Sequence, residues 1–267
     1  MRMPLALAVA LAFAPVARAQ DAKVDWERRV VRCTGSGAAN LKDADGNPAV
    51  ARIGAEKAAR LDALRGCLAA LRGVQVEAGR TVGDVLDSDA RLSGEVQGLV
   101  RGFRTVGKPR YFSDGGVEVD VEVPLEGALS DALLPRDPKA AVAPEEAVQL
   151  VGGPSALVVD ARGLKLVPAL APRLKDEQGR EVYGPAALDQ GARRLGGAAA
   201  YAPDLDAARA ALGDRVGRRP WLVKAVRAEG PDLVLAQADA DQLHGAPPQF
   251  LKQGKVVILA DGRSHPR

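Results

Sequence analysis

Val117-Glu118-Val119-Asp120-Val121-Glu122-Val123 alternates four valines with three carboxylates. That is the period-two pattern of a strand with one buried face and one wet face. Immediately upstream, Asp114-Gly115-Gly116 reads as a three-residue hairpin loop. It would set Arg110 opposite Asp120, Lys108 opposite Glu122 and Tyr111 opposite Val119, a register that satisfies charge and apolarity together. Pro109 cannot donate to a ladder, so its strand is expected at a sheet edge or with a bulge.

Further outward, Val24 to Thr34 reads as another strand, followed by Gly35-Ser36-Gly37-Ala38-Ala39-Asn40 leading into a polar turn. Asn47 is placed to cap a helix with Pro48 at its first position, where a missing N–H costs nothing. The helix is expected to run to Arg72 and stop at Gly73. Ile53, Leu61, Leu64, Cys67, Leu68 and Leu71 would form its buried stripe, and Ala55, Ala58, Ala59 and Ala63 would keep its propensity high. Gly73 to Ala78 alternates like a short strand. A second helix starts near Ser88-Asp89, with Leu92, Val96, Leu99, Val100 and Phe103 on one face. Residues 20–126 therefore read as an α+β domain of order β-α-β-α-β-β, with helices packed on an antiparallel or mixed sheet.

Residues 127–154 shift to Ala, Pro and scattered charge and read as a linker with one helical turn near Glu145 to Leu150. A second, β-rich α/β domain then spans 155–267. It opens with Ala156-Leu157-Val158-Val159-Asp160-Ala161-Arg162-Gly163 and ends β-β-α-β: Trp221 to Val226, Leu233 to Ala236, a helix capped by Asp239, and Val256 to Leu259. Val158-Val159-Asp160 and Leu259-Ala260-Asp261 bear a loose likeness, short of an internal repeat.

Residues 1–19 carry a basic lead, an apolar stretch from Leu5 to Ala14 and the small-x-small site Ala17-Arg18-Ala19. These are the parts of a secretory signal cut before Gln20. A lipid anchor would need a cysteine directly after the cut, and the first cysteine is Cys33. The expectation is therefore a periplasmic or secreted protein without a lipid anchor. Loss of Arg2 and Arg18 takes the net charge from +3 to +1, which supplies no electrostatic reason for nucleic-acid binding. Beyond the N-terminus no apolar run approaches the roughly 20 residues of a bilayer span. Cys33 and Cys67 are the only thiols. Export permits a disulfide that would stabilise by roughly 3–4 kcal/mol, and two buried free cysteines are the alternative.

Side chains able to make and break bonds are sparse. A Ser/His/Asp set needs a histidine, and the chain has two, His244 in a turn-like stretch and His265 near the terminus, both expected in solvent. Gly35-Ser36-Gly37 lacks the third glycine and the acidic residue of a dinucleotide site, so a turn is the reading there. Asp43, Asp45 and Asn47 lack the later glutamate of a calcium loop. No cofactor or metal is expected. The densest polar cluster is Asp160, Arg162, Asp176, Glu177, Arg180, Glu181 and Tyr183. Asp176-Glu177-Gln178-Gly179-Arg180 reads as a tight hairpin with its charges in water, leaving Asp160 and Arg162 at a partly enclosed strand end. Gly94, Gly98 and Gly102 recur on one side of the second helix, where they either admit a close-packed neighbour or reflect a glycine-rich composition.

The run Thr34-Gly35-Ser36-Gly37, the helix with Ala58-Ala59-Arg60-Leu61-Asp62-Ala63-Leu64-Arg65, then Gly73-Val74-Gln75-Val76, Val100-Arg101-Gly102 and the Asp114-Gly115 hairpin resemble the LPP-twenty bacterial surface lipoproteins. They also resemble the N-terminal domain of flagellar assembly protein T. The resemblance covers residues 25–126, and the lipobox cysteine of the lipoproteins is absent. Val159-Asp160-Ala161-Arg162-Gly163-Leu164 and Glu181-Val182-Tyr183-Gly184 resemble segments that accompany this domain in exported bacterial proteins. The resemblance implies a non-enzymatic, assembly-related role in the envelope, with a flagellar link as its finer form. The expected partner is an envelope protein or a second copy. Contact would be made through Lys108, Arg110 and the neighbouring edge strand, and through Asp160, Arg162, Glu181 and Tyr183. The alternatives are an exported hydrolase using Asp160 and Glu181, and a periplasmic carrier of peptide or lipid.

Overall fold

The computed structural model describes residues 22–135, 153–244 and 249–261. The signal segment, the helical turn expected near 145–150 and His265 lie outside them. The chain is α+β, with a second domain from Ala156 onward.

In the first unit β1 (Ala22–Asp25), β2 (Val30–Ala38), β5 (Arg104–Tyr111) and β6 (Gly116–Pro124) make an antiparallel sheet of order β1-β2-β6-β5. The strand expected over 24–34 is thus two strands, broken at a turn. There Asp25 accepts from the Arg28 amide, and Arg29 takes a positive φ of 54°. Valines 117, 119, 121 and 123 point to the core as their alternation requires. The β5–β6 register differs from the one expected. Arg110 faces Glu118 and Tyr111 faces Val117, a slip of two residues, because Ser113 joins the loop and Gly116 leaves it to begin β6, where its carbonyl accepts from the Phe112 amide at 2.9 Å. A slip of two keeps every side chain on its face, so Arg110 still reaches Asp120 at 2.7 Å as well as Glu118 at 3.2 Å. β5 is an edge strand, and its ladder is interrupted between Val106 and Arg110, around Pro109.

Helix α1 (Pro48–Arg72) has Asn47 as its cap, Pro48 in its first turn and Gly73 at its end. Its buried face is not the large-residue stripe. Ile53 and Leu61 are 54% and 57% exposed, Leu64 and Leu68 are half-buried, and the seam against the sheet is Ala51, Ala55, Ala59, Ala63, Cys67 and Leu71. The cause is Gly35-Ser36-Gly37, which is strand and not turn. A Cβ on Gly35 would fall on the backbone of Ala59 and Ala63, and one on Gly37 on Ala55 O. The helix lies so close to β2 that only alanine-sized side chains fit between them. Cys33 and Cys67 are joined by a disulfide across this seam, with 5.6 Å between their Cα atoms.

After α1 come the two-stranded ribbon of β3 (Gln75–Glu77) and β4 (Arg80–Thr81) and helix α2 (Val82–Ser88), which begins in a Thr81/Asp84 capping box. Helix α3 (Ala90–Val100) is capped by Asp89. It buries Val96 and Val100 and half-buries Leu92, Leu99 and Phe103, as the spacing requires. Gly94 and Gly98 face open space.

The segment read as linker contains helix α4 (Ala128–Leu133), with Leu129, Ser130 and Leu133 buried. Arg193 of the short α5 (Gln190–Arg193) closes its end. That guanidinium pairs with Asp131 at 2.9 Å and donates to Asp131 O, Leu134 O and Pro135 O. Strands β7 (Ala156–Asp160), β8 (Leu174–Lys175), β9 (Glu181–Tyr183), β10 (Ala200–Ala202), β11 (Pro220–Glu229), β12 (Asp232–Leu235) and β13 (Val256–Leu259) make a mixed sheet of order β10-β13-β7-β11-β12-β8-β9. β10, β13, β7 and β11 run parallel. Helix α6 (Leu205–Leu212) covers one face over β10, β13 and β7, and α7 (Gln237–His244) and α8 (Gln249–Lys252) pack on the other. The chain closes β11-β12-α7-α8-β13, the expected β-β-α-β with a second short helix, α8, added before the last strand. Asp239, expected as a cap, lies inside α7, and the Asp239 and Ala240 amides donate to Ala236 O.

The two units share one apolar core that runs from Val31 and Val121 to Ile258 and Leu235. Leu170 N and Ala171 N donate to Gln75 O and Val76 O of β3, Arg173 pairs with Glu77 at 2.7 Å, and Arg29 donates to Leu195 O. Arg215, 6% exposed, spreads its guanidinium over Gly254 O, Leu195 O and Gly197 O. Burial lowers its pKa to about 10, and the three carbonyls supply the compensation a buried cation needs.

Candidate functional site

The parallel register sets Ala202, Leu259 and Asp160 side by side at the carboxyl ends of β10, β13 and β7, with Lys224, midway along the longer β11, beside Asp160. This is the end of an open α/β sheet at which ligands usually lie. Asp160 holds Arg162 through two bonds of 2.9 and 2.7 Å. Those bonds hold the Asp160 carboxyl below its ordinary pKa against the opposing effect of burial. Just beyond the neighbouring strand β13, Asp261 accepts from the Gly163 amide, where a positive φ of 79° suits glycine. The likeness between Val158-Val159-Asp160 and Leu259-Ala260-Asp261 thus marks two adjacent parallel strand ends.

Beside Asp261 a cleft of about 180 Å³ opens between the two units. It is lined by Lys23 to Glu27, Pro168, Tyr201, Ala202, Ala260 and Asp261. Trp26 meets Tyr201 edge-to-face with ring centroids 5.5 Å apart. Tyr201 is pinned by the Ala169 backbone, donating to its carbonyl at 2.9 Å and accepting from its amide at 3.0 Å. Burial pushes its phenol well above the ordinary range, so it stays neutral and rigid. The ring-lined wall comes from residues that carry no motif. The one signal that could have found it is the rarity of tryptophan, since Trp26 is one of only two in the chain.

The residues singled out from sequence separate into several places. Lys108 sits exposed in the β5 interruption. Arg110 is tied to Glu118 and Asp120, and its hydrogen bond holds the Asp120 carboxyl below the usual range. Tyr111 donates to Glu56 at 2.7 Å, with the Arg52 guanidinium 3.6 Å above its ring. Glu181 pairs with Arg173. Tyr183 is buried and donates to Ala198 O at 2.6 Å, so it presents no contact surface. Asp160 and Glu181 lie on β7 and β9, four strand spacings or about 19 Å apart across the sheet. Paired carboxylates of a glycoside hydrolase stand within about 10 Å of each other, so these two do not form such a pair.

The hairpin carrying Asp176 also differs from expectation, since its carboxylate is 0% exposed. Burial alone would raise its pKa, but bonds from the Arg180 amide, the Arg180 guanidinium at 2.6 Å and His244 at 3.3 Å outweigh burial and hold it low. His244 is therefore a clasp between α7 and the hairpin. Asp43 and Asn40 bond each other, and Asn47 caps α1. Among the described residues no cluster of His, Cys, Asp and Glu is placed to hold a metal ion, and no helix is long and apolar enough to cross a membrane.

No curated protein matches the chain. Residues 156–262, which make up the second unit from β7 to just beyond β13, match the model of a family described as Treponema pallidum Tp0624, second domain.

Proposed function

We propose that this protein is an exported, non-enzymatic binding or structural module of the bacterial cell envelope, its first unit of the LPP-twenty and flagellar-assembly type. The observation that carries the reading is the joining of two units through one shared apolar core. In these units the conspicuous charges, Asp160 with Arg162, Asp176 with Arg180, and Arg110 with Asp120, are spent on internal pairs, while β1 and β5 end the four-stranded sheet with no further strand beside them among the described residues. Open strand edges offer backbone groups to another chain. The Cys33–Cys67 disulfide supports an oxidising compartment, in keeping with cleavage after Ala19. A flagellar partner is the finer form of the proposal and rests on the first unit's resemblance alone.

The test separates periplasm from cytoplasm and measures the intact mass, then cross-links the envelope fraction through residues introduced at Lys108 and identifies what is joined. Mature chain beginning at Gln20 with its thiols oxidised, cross-linked to an envelope protein or a second copy, is the expected result. Intact Met1 and free thiols on cytoplasmic protein would refute it. Co-sedimentation with flagellar basal bodies decides the finer form.

A further inference from the structure

Two sheet edges converge on the inter-unit cleft. β1 is the terminal strand of the four-stranded sheet and β10 that of the seven-stranded sheet, and both line the opening. The wall is apolar and aromatic: Val24, Trp26, Pro168, Tyr201, Ala202 and Ala260. The rim carries Asp25, Glu27 and Asp261 against one cation, Lys23. Asp25 accepts from the Arg28 amide through one oxygen and Asp261 from the Gly163 amide through one, and both residues line the opening. A volume of about 180 Å³ is enough to enclose one long side chain. Aromatic walls below carboxylates suit a flexible alkyl stem ending in a cation.

We propose that the cleft receives a lysine or arginine side chain of a protein partner, carried on an extended segment whose backbone pairs with the outer edge of β1, which no other described strand pairs. The proposal rests on the binding-module reading and names the chemistry of the partner. The stem would lie against Trp26 and Tyr201, with the ammonium or guanidinium between Asp25, Glu27 and Asp261. Backbone pairing along β1 supplies affinity, and the cleft selects the residue, the division of labour usual in strand addition.

Trp26 is the reporter. In a Trp221→Phe variant, whose circular dichroism confirms folding, it is the sole tryptophan. Its fluorescence is titrated with the blocked peptides Val-Lys-Val, Val-Gln-Val and Val-Glu-Val, and with butylamine. The expected result is a saturable change with the lysine peptide, weaker by about tenfold with the glutamine peptide and in an Asp25→Asn/Asp261→Asn variant, and absent with the glutamate peptide. Butylamine should bind more weakly than the lysine peptide. Equal binding of butylamine and peptide would overturn the strand pairing. Equal binding of all three peptides, or saturation by none, would overturn the cleft assignment. Cross-linking at Lys108 reads a different edge, so a silent titration beside a captured partner rejects this inference while leaving the envelope reading in place.

Discussion

Replacing Gly35 with alanine adds one methyl group and should be among the most damaging small changes in the chain. The new Cβ would sit 2.6 Å from Ala63 Cα and closer still to Ala59 O and Ala63 N. These are backbone atoms of α1, so no rotamer change relieves the clash. Either the helix or the strand has to move. β2 is paired with β6 residue by residue from Val30 to Ala38, and α1 is tied to β2 by the disulfide two residues from Gly35. Both routes of relaxation are therefore restrained, and the cost belongs at the upper end of overpacking penalties, about 3 kcal/mol. For a chain of this length that corresponds to a fall in Tm of about 6 °C. Gly94→Ala and Gly98→Ala serve as controls, because each Cβ would point into open space and each change should raise stability by about 0.5–1 kcal/mol. Thermal melts followed by circular dichroism, with urea titration for ΔG, measure all three. If Gly35→Ala melts within about a degree of the parent, the close approach of α1 to β2 is wrong. If Gly94→Ala and Gly98→Ala destabilise instead, α3 packs against something at that face.

Reduction of the Cys33–Cys67 disulfide, which closes a span of 34 residues, should lower the unfolding free energy by about 4 kcal/mol in urea titrations run with and without reductant. Arg215→Met strands the carbonyls of Gly254, Leu195 and Gly197 and should cost about 3–5 kcal/mol in the same assay. A cost below about 1 kcal/mol would mean that water reaches those groups. Asp176 has a folded pKa below its ordinary 3.8, so its contribution is fully present above that value and is lost as the pH falls through the lower folded one. Acid titration of stability should therefore steepen below about pH 4, and Asp176→Asn should flatten that limb while lowering stability at neutral pH.

Local order along the chain was largely legible in the sequence. The alternating valines of β6, the Asn47-Pro48 start and Gly73 stop of α1, the stripe of α3 and the run Val256 to Leu259 all appear where short-range pattern places them. Period and capping act within a few residues, and one chain displays them without its partners. Contacts between distant segments had to wait for the tertiary structure. Which face of α1 is buried depends on Gly35 and Gly37, two glycines that look like a turn until a helix is laid across them, and alanines that look like propensity become the seam. Asp176 reads as a solvated turn residue until α7 brings His244 over it. The cleft joins Trp26 to Tyr201 and Asp261, residues brought together only when two sheet edges meet, and no spacing along the chain encodes that meeting because its geometry is set by the core the two units share.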